Sequence, residues 1–187
     1  MTTVLKVHLA DLTNQFFHDL SQKFDNSTEF EIRVSKKKQK QELFSETEFW
    51  QIMAALDWSK TDAKGIIAPA IQQLAAMPVV NIFLFADKLS EKLYQLDTKN
   101  HGAAYLANEG DDYLSVDDFL YVRCAAVAEG KTYFDHILKT PSELSNKIAF
   151  EPLLNLADEA YTLKTGKPFD YHPTFNYETY SNKAAWQ

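Results

Sequence analysis

Hydrophobic positions change their spacing along this 187-residue chain, and the changes mark its predicted elements. Leu5, Val7 and Leu9 alternate with Lys6 and His8, the period of a half-buried strand. From Asp11 to Phe24 the interval lengthens to four, with Leu12, Phe16, Leu20 and Phe24 on one helical face. Asp25-Asn26-Ser27 reads as a turn, and Phe30, Ile32 and Val34 alternate with Glu31 and Arg33 as a second strand. The pattern predicts a strand-helix-strand module over residues 1–35. Its two strands would be parallel, joined by a right-handed crossover. Such a sheet is marginal alone and leaves open edges, so it is expected to dock on the rest of the chain or to pair with a second copy.

Lys36-Lys37-Lys38-Gln39-Lys40-Gln41 then reads as a basic linker spanning 36–42. Beyond it the pattern is helical, giving a helical domain over 43–187. Ser45-Glu46-Thr47-Glu48 has capping-box spacing before Phe49, Ile52, Met53 and Leu56. Gly65–Met77 carries Ile67, Ala70, Ile71 and Leu74 around Pro69. Pro78 suits the first turn of a long helix with Ile82, Phe85, Leu89, Leu93 and Leu96 inward and Asp87, Lys88, Glu91 and Lys92 on its outer face. A short helix is expected over Gly102–Ala107, followed by a loop at 108–112. Ser115 then opens an almost wholly apolar helix over Phe119–Ala128, which should be central. Tyr133–Leu138 and a last helix opened by Pro152 and stopped by Gly166 complete the body. Residues 169–186 hold Tyr171, Phe175, Tyr177, Tyr180 and Trp186 without helical period, and so many aromatics should lie against the body. The predicted fold class is α+β, predominantly α.

Several segments resemble a bacterial family, the domain of unknown function 4240. They are Thr47–Met53, Leu56-Asp57-Trp58, Leu74–Pro78, Glu91–Asp97, Ser115–Arg123, Gly130–Tyr133, Ala160-Tyr161 and Lys164–Phe169, together covering roughly residues 45–170. The resemblance implies a helical fold and a bacterial, cytoplasmic source. It implies no activity and assigns no catalytic residue. The first 35 residues lie outside it.

Composition narrows the chemistry. The net charge of −7 is divided unevenly, +2 over residues 1–41 and −9 over the remainder, and there are only two arginines. A nucleic-acid partner is therefore not expected. No run of apolar residues is long enough to span a membrane, and the N-terminal stretch does not read as a signal peptide. The single cysteine, Cys124, fits a reducing compartment and an inert, buried thiol. The five histidines lack local zinc spacing, and there is no nucleophile elbow, phosphate-binding loop or dinucleotide fingerprint, so neither cofactor nor metal is expected.

Arg123 stands out, a guanidinium inside an apolar helix. It demands a partner: Asp117, Asp118, Asp97, Asp57 or a helix C-terminus. The structural reading is an internal tie between helices; the functional one is a site for an anion or a carboxylate. Asp111, Asp112, Asp117 and Asp118 surround a helix start, where capping explains acids better than metal ligation. His101, just after Asp97, is the histidine best placed for a site. The candidate pocket or interaction residues are accordingly Asp97, His101, Asp111, Asp112, Asp118 and Arg123. The expected function is that of a cytoplasmic, non-enzymatic protein-binding or regulatory module, of the kind that neutralises a toxin or serves a stress circuit. It would act on a protein partner or self-associate through residues 1–35. The rivals are an enzyme with a polar pocket around His101, Asp111, Asp118 and Arg123, and a small-molecule sensor with a cavity beside the Arg123 helix.

Overall fold

The computed structural model describes residues 5, 7–25, 27, 28, 30, 31, 43–110 and 112–187, and the chain divides into two units, 1–41 and 42–187. In the first unit the strand-helix-strand expectation fails, since no strand exists among the described residues. Leu5 and Val7 are exposed and lie in no ladder, and the backbone turns instead into a 3-10 turn, Leu9–Asp11. Alternation by itself cannot hold a strand; a strand needs a partner to take its N–H and C=O groups. The predicted helix is present but shorter, Asn14–Ser21 (α1), with Thr13 Oγ1 accepting from the Phe16 N–H at 3.2 Å. None of the α1 residues is buried. The predicted turn forms, as Asp25 Oδ1 accepts from the Ser27 N–H at 2.9 Å. Phe30 is exposed and packs edge-on to Phe24 at 5.8 Å. Ile32, Val34 and the basic linker at 36–42 lie outside the described residues. Among the described residues of 1–35 no strand edge is present for pairing with a second copy.

The second unit is helical, in the positions that caps and periodicity require. Helix α2 is Glu46–Met53, closed by a complete capping box in which Ser45 Oγ accepts from the Glu48 N–H at 3.1 Å and Glu48 Oε2 accepts from the Ser45 N–H at 2.6 Å. Helix α3, Ala63–Ala76, is capped by Asp62 and holds Pro69 inside it. Pro78 precedes α4, Val79–Leu96. Helix α5, Lys99–Glu109, is longer than the expected Gly102–Ala107 because Thr98 caps it early. Ser115 caps α6, Val116–Ala128. Helix α7 is Lys131–Lys139. After a 3-10 turn at Glu151–Asn155 that includes Pro152, α8 runs over Leu156–Thr165 and ends at Gly166 in the left-handed region, φ 69°.

Helix α6 is the centre, as its apolar composition predicts: Phe119, Leu120 and every residue from Val122 to Ala128 are buried. It packs against α4, α7 and the turn before α8, while α8 lies on α3 and α4. The outer face expected of α4 is largely covered. Lys92 is buried with its ammonium 2.7 Å from Glu46 Oε1 and over the Phe134 ring. Asp87 receives residues from beyond α8. No helix among the described residues is long and apolar enough to cross a membrane.

Candidate functional site

The covering segment, residues 169–187, has no helix beyond a final 3-10 turn, Lys183–Trp186, and straps across α4 and the ends of α5 and α6. Aromatic contacts start it: Phe169 and Tyr171 pack on Phe83 at 5.2 and 4.9 Å, and Phe175 on Tyr94 at 5.2 Å. Asp87 then takes both the Tyr171 hydroxyl and the Thr174 N–H at 2.8 Å. Burial, reinforced by that bond to a carboxylate, pushes the Tyr171 hydroxyl up to about 12, so it stays protonated and donates.

Asp97 forms the second attachment. It follows α4 directly and is fully buried. One carboxylate oxygen accepts from the Tyr180 N–H at 3.1 Å and from the Trp186 indole at 2.9 Å; the other accepts from the Asn182 N–H at 2.9 Å and the Ser181 hydroxyl at 3.3 Å. Four donors from seven consecutive residues therefore converge on one buried carboxylate, which is how a charge is carried inside a protein without a cation in contact.

Arg123 makes the third attachment, and its partners differ from the acids nearest in sequence. One terminal nitrogen donates to the Leu93 carbonyl at 2.9 Å and the Tyr177 carbonyl at 3.0 Å; the other donates to Thr179 Oγ1 at 2.9 Å. Leu93 lies in the last turn of α4, where carbonyls lack helical partners, so the helix C-terminus among the expected partners is the one used. Thr179 passes the bond on to the Val116 carbonyl at 2.7 Å. The guanidinium also lies over the Phe119 ring at 4.9 Å, and its Nε is buried without a partner. Burial lowers the Arg123 pKa, and the charge of Asp97 pulls it back. Asp97 acts on Arg123 through its field, while its hydrogen bonds go to the strap.

His101 is buried beneath this centre. Its Nε2 lies 3.1 Å from the Ile137 carbonyl and its Nδ1 2.7 Å from Thr98 Oγ1. A carbonyl can only accept, so the partners assign the proton to Nε2 and leave Nδ1 to accept from the threonine. Burial lowers the His101 pKa, the hydrogen bond to the Ile137 carbonyl raises it in part, and the nearby Arg123 charge adds to the lowering. The imidazole is thus a neutral tie between α5 and α7. Next to it Gly102 lies against Trp186, and a Cβ there would sit 2.5 Å from the indole Cη2. Here the glycine is required by close approach.

The remaining candidates do not join the centre. Asp118 is exposed on the first turn of α6, where its N–H meets the Ser115 cap. Five positions separate it from Arg123, about 140° around a helix, so the two face different ways. Asp112 is exposed, and Asp111 lies outside the described residues. Asp57 instead accepts from the Ser59 N–H and hydroxyl near its own turn. Burial pushes the Cys124 thiol up to about 12, which keeps it unreactive. Among the described residues no group of three or more His, Cys, Asp or Glu could hold a metal ion. A surface depression of about 270 Å³ lies away from this centre, lined by Glu46, Trp50, Ala54 and Lys131 among others. A smaller space of about 100 Å³ sits between α4, α8 and the strap, bordered by Leu89, Ala157 and Tyr177.

A family profile described as "Protein of unknown function (DUF4240)" matches residues 44–163, more than half the chain. The chain belongs to this family. The match covers Asp87, Asp97, His101 and Arg123, while the strap they hold follows it. No curated protein and no solved structure matches the chain. The match to a family of unknown function brings no activity to this chain. The residues that spacing alone missed are Asp87, Gly102, Tyr177, Thr179 and Trp186. Tyr177 and Trp186 were signalled only by the aromatic density after Gly166, and Asp87, Gly102 and Thr179 by nothing that singled them out.

Proposed function

We propose that the DUF4240 domain is a non-catalytic protein-binding module whose buried polar centre holds an extended stretch of polypeptide. The observation that supports this reading is the set of partners chosen by its two buried charges. Asp97 accepts main-chain N–H groups of Tyr180 and Asn182, and Arg123 donates to the main-chain carbonyl of Tyr177. A carboxylate and a guanidinium arranged on the N–H and C=O groups of one segment form a peptide clamp. Acid–base catalysis would need them aimed at a space a substrate could enter. His101, neutral and fixed on both ring nitrogens, supports the clamp from below. A reducing, cytoplasmic setting accords with the single buried cysteine.

The test is the full chain carrying Arg123→Met, with thermal unfolding and strap hydrogen exchange as readouts. The clamp reading predicts a lower Tm and faster exchange over residues 174–186. An unchanged Tm and strap protection, with loss of a substrate turnover found for the wild type, would replace it with the enzymatic reading.

A further inference from the structure

The strap is gripped through side chains as well as backbone, and this gives the clamp a sequence preference. Thr179 uses one hydroxyl twice, accepting from Arg123 and donating to the Val116 carbonyl, a role that serine could fill and valine could not. Asn182 adds its side-chain amide to the Tyr94 carbonyl at 3.1 Å, in the last turn of α4, where that carbonyl also accepts from the Asp97 N–H. Trp186 inserts its ring beside Gly102, edge-on to Phe119 at 6.2 Å, with its indole N–H on Asp97. Ser181 reaches the same carboxylate. The groove therefore reads the pattern Thr-x-Ser-Asn-x-x-x-Trp over residues 179–186.

The occupant carries signs of a ligand that can leave. Tyr180 has φ 70°, a left-handed conformation that disfavours a side chain with a Cβ, and the residue is 46% exposed. The chain between α8 and the strap, Gly166-Lys167-Pro168, is exposed and begins at a left-handed glycine. No residue from Asp170 to Gln187 is buried, so the strap lies on the α3, α4, α6 and α8 core from outside, and its opening uncovers Asp97 and Arg123.

We propose that the groove between the end of α4, Gly102 of α5 and the start of α6 is a peptide-recognition site occupied in the monomer by the chain's own strap, and that the strap of a second copy can take the same place. This rests on the clamp reading given above. The seated segment argues for that occupant: Asp97 and both terminal nitrogens of Arg123 already find partners in it, and a second copy offers the same segment. For the intact chain the tethered strap wins, because a short link holds it at an effective concentration of roughly millimolar, and at micromolar concentration the chain stays monomeric.

Complementation between two full-length variants tests the proposal. Gly102→Ala leaves the strap intact but closes the notch for Trp186. Asn182→Ala/Trp186→Ala leaves the groove intact but spoils the strap. Each variant alone is expected to be monomeric by light scattering with a fast-exchanging strap. Warmed together and cooled, they are expected to form a one-to-one heterodimer in which the intact strap regains protection and the Tm rises above that of either variant. A fluorescently labelled peptide of residues 174–187 should bind the strap-defective variant and not the wild type, and its Thr179→Val form should bind on the order of tenfold more weakly. If Gly102→Ala unfolds the chain, Arg123→Met replaces it as the groove-defective partner, and the peptide measurement stands regardless. A mixture that stays monomeric, with no peptide binding, overturns exchange. If the variants nevertheless loosen their own straps, the clamp reading survives that result. If the strap remains protected in both variants and in Arg123→Met, the clamp reading itself falls.

Discussion

Replacing Asp97 by asparagine keeps the size and shape of the side chain and removes only acceptor capacity and charge. The carboxylate takes two donors on each oxygen: Tyr180 N–H and Trp186 Nε1 on one, Asn182 N–H and Ser181 Oγ on the other. An amide must turn its NH2 toward one of these pairs. The less costly choice faces Ser181, whose hydroxyl can rotate to accept, and leaves the Asn182 N–H opposed by another donor. One orphaned N–H and the weakening of the surviving charge-assisted bonds together cost about 2–4 kcal/mol. Loss of the negative charge that offsets the desolvation of Arg123 adds in the same direction. At about 2–4 °C per kcal/mol for a unit of this size, Tm should fall by roughly 5–15 °C. Urea titration followed by circular dichroism measures the free energy, with the slope checked to be unchanged so that the shift in midpoint reports stability. A loss below about 0.5 kcal/mol, the range of ordinary surface substitutions, would refute the argument that this carboxylate anchors the strap.

His101→Gln should change the pH dependence of stability. A histidine whose folded pKa is depressed binds fewer protons folded than unfolded, so stability contributed by its neutral form is complete above the unfolded pKa, about 6.5, and is lost as pH falls below it. Wild-type urea midpoints should therefore drop more steeply between pH 7 and 5 than those of His101→Gln; parallel curves would contradict the buried, neutral imidazole. Gly102→Ala, which in an open helix would gain up to about 1 kcal/mol, should here cost about 1–3 kcal/mol because the new methyl meets the Trp186 ring, and a stabilised variant would show that the indole does not lie there. Cys124 should resist iodoacetamide at pH 8 in the folded chain and react fully in urea; labelling of the native chain would place the thiol at the surface.

The helical body was legible because its signals are local. Ser45 and Ser115 each cap the helix that follows, and the apolar run of α6 marks a helix buried on all sides. The start of α5 was not legible, since Lys99-Asn100-His101-Gly102 has no apolar period and its helix depends on the Thr98 cap and on His101 reaching Ile137, far along the chain. The N-terminal alternation misled for the opposite reason: Leu5 and Val7 have the right spacing for a strand, but a strand depends on a neighbour that periodicity does not supply. Arg123 announced itself as a buried charge in need of partners. Its sequence neighbours Asp117 and Asp118 drew attention, whereas the carbonyls it uses belong to Leu93 and Tyr177, and any residue type could have provided them. The aromatic density after Gly166 correctly predicted a segment packed on the body. It did not reveal that Asp87, Asp97 and Arg123 would be the groups holding it.

Amide hydrogen exchange at Tyr180 and Asn182, read residue by residue in the full chain, goes straight to the claim that buried charges fasten the strap. The account predicts that both amides are protected in the wild type and exchange at near-peptide rates in Asp97→Asn, while Leu93 and Val122 keep their protection in both. Tyr180 and Asn182 exchanging freely in the wild type, or remaining as protected in the variant, would contradict it.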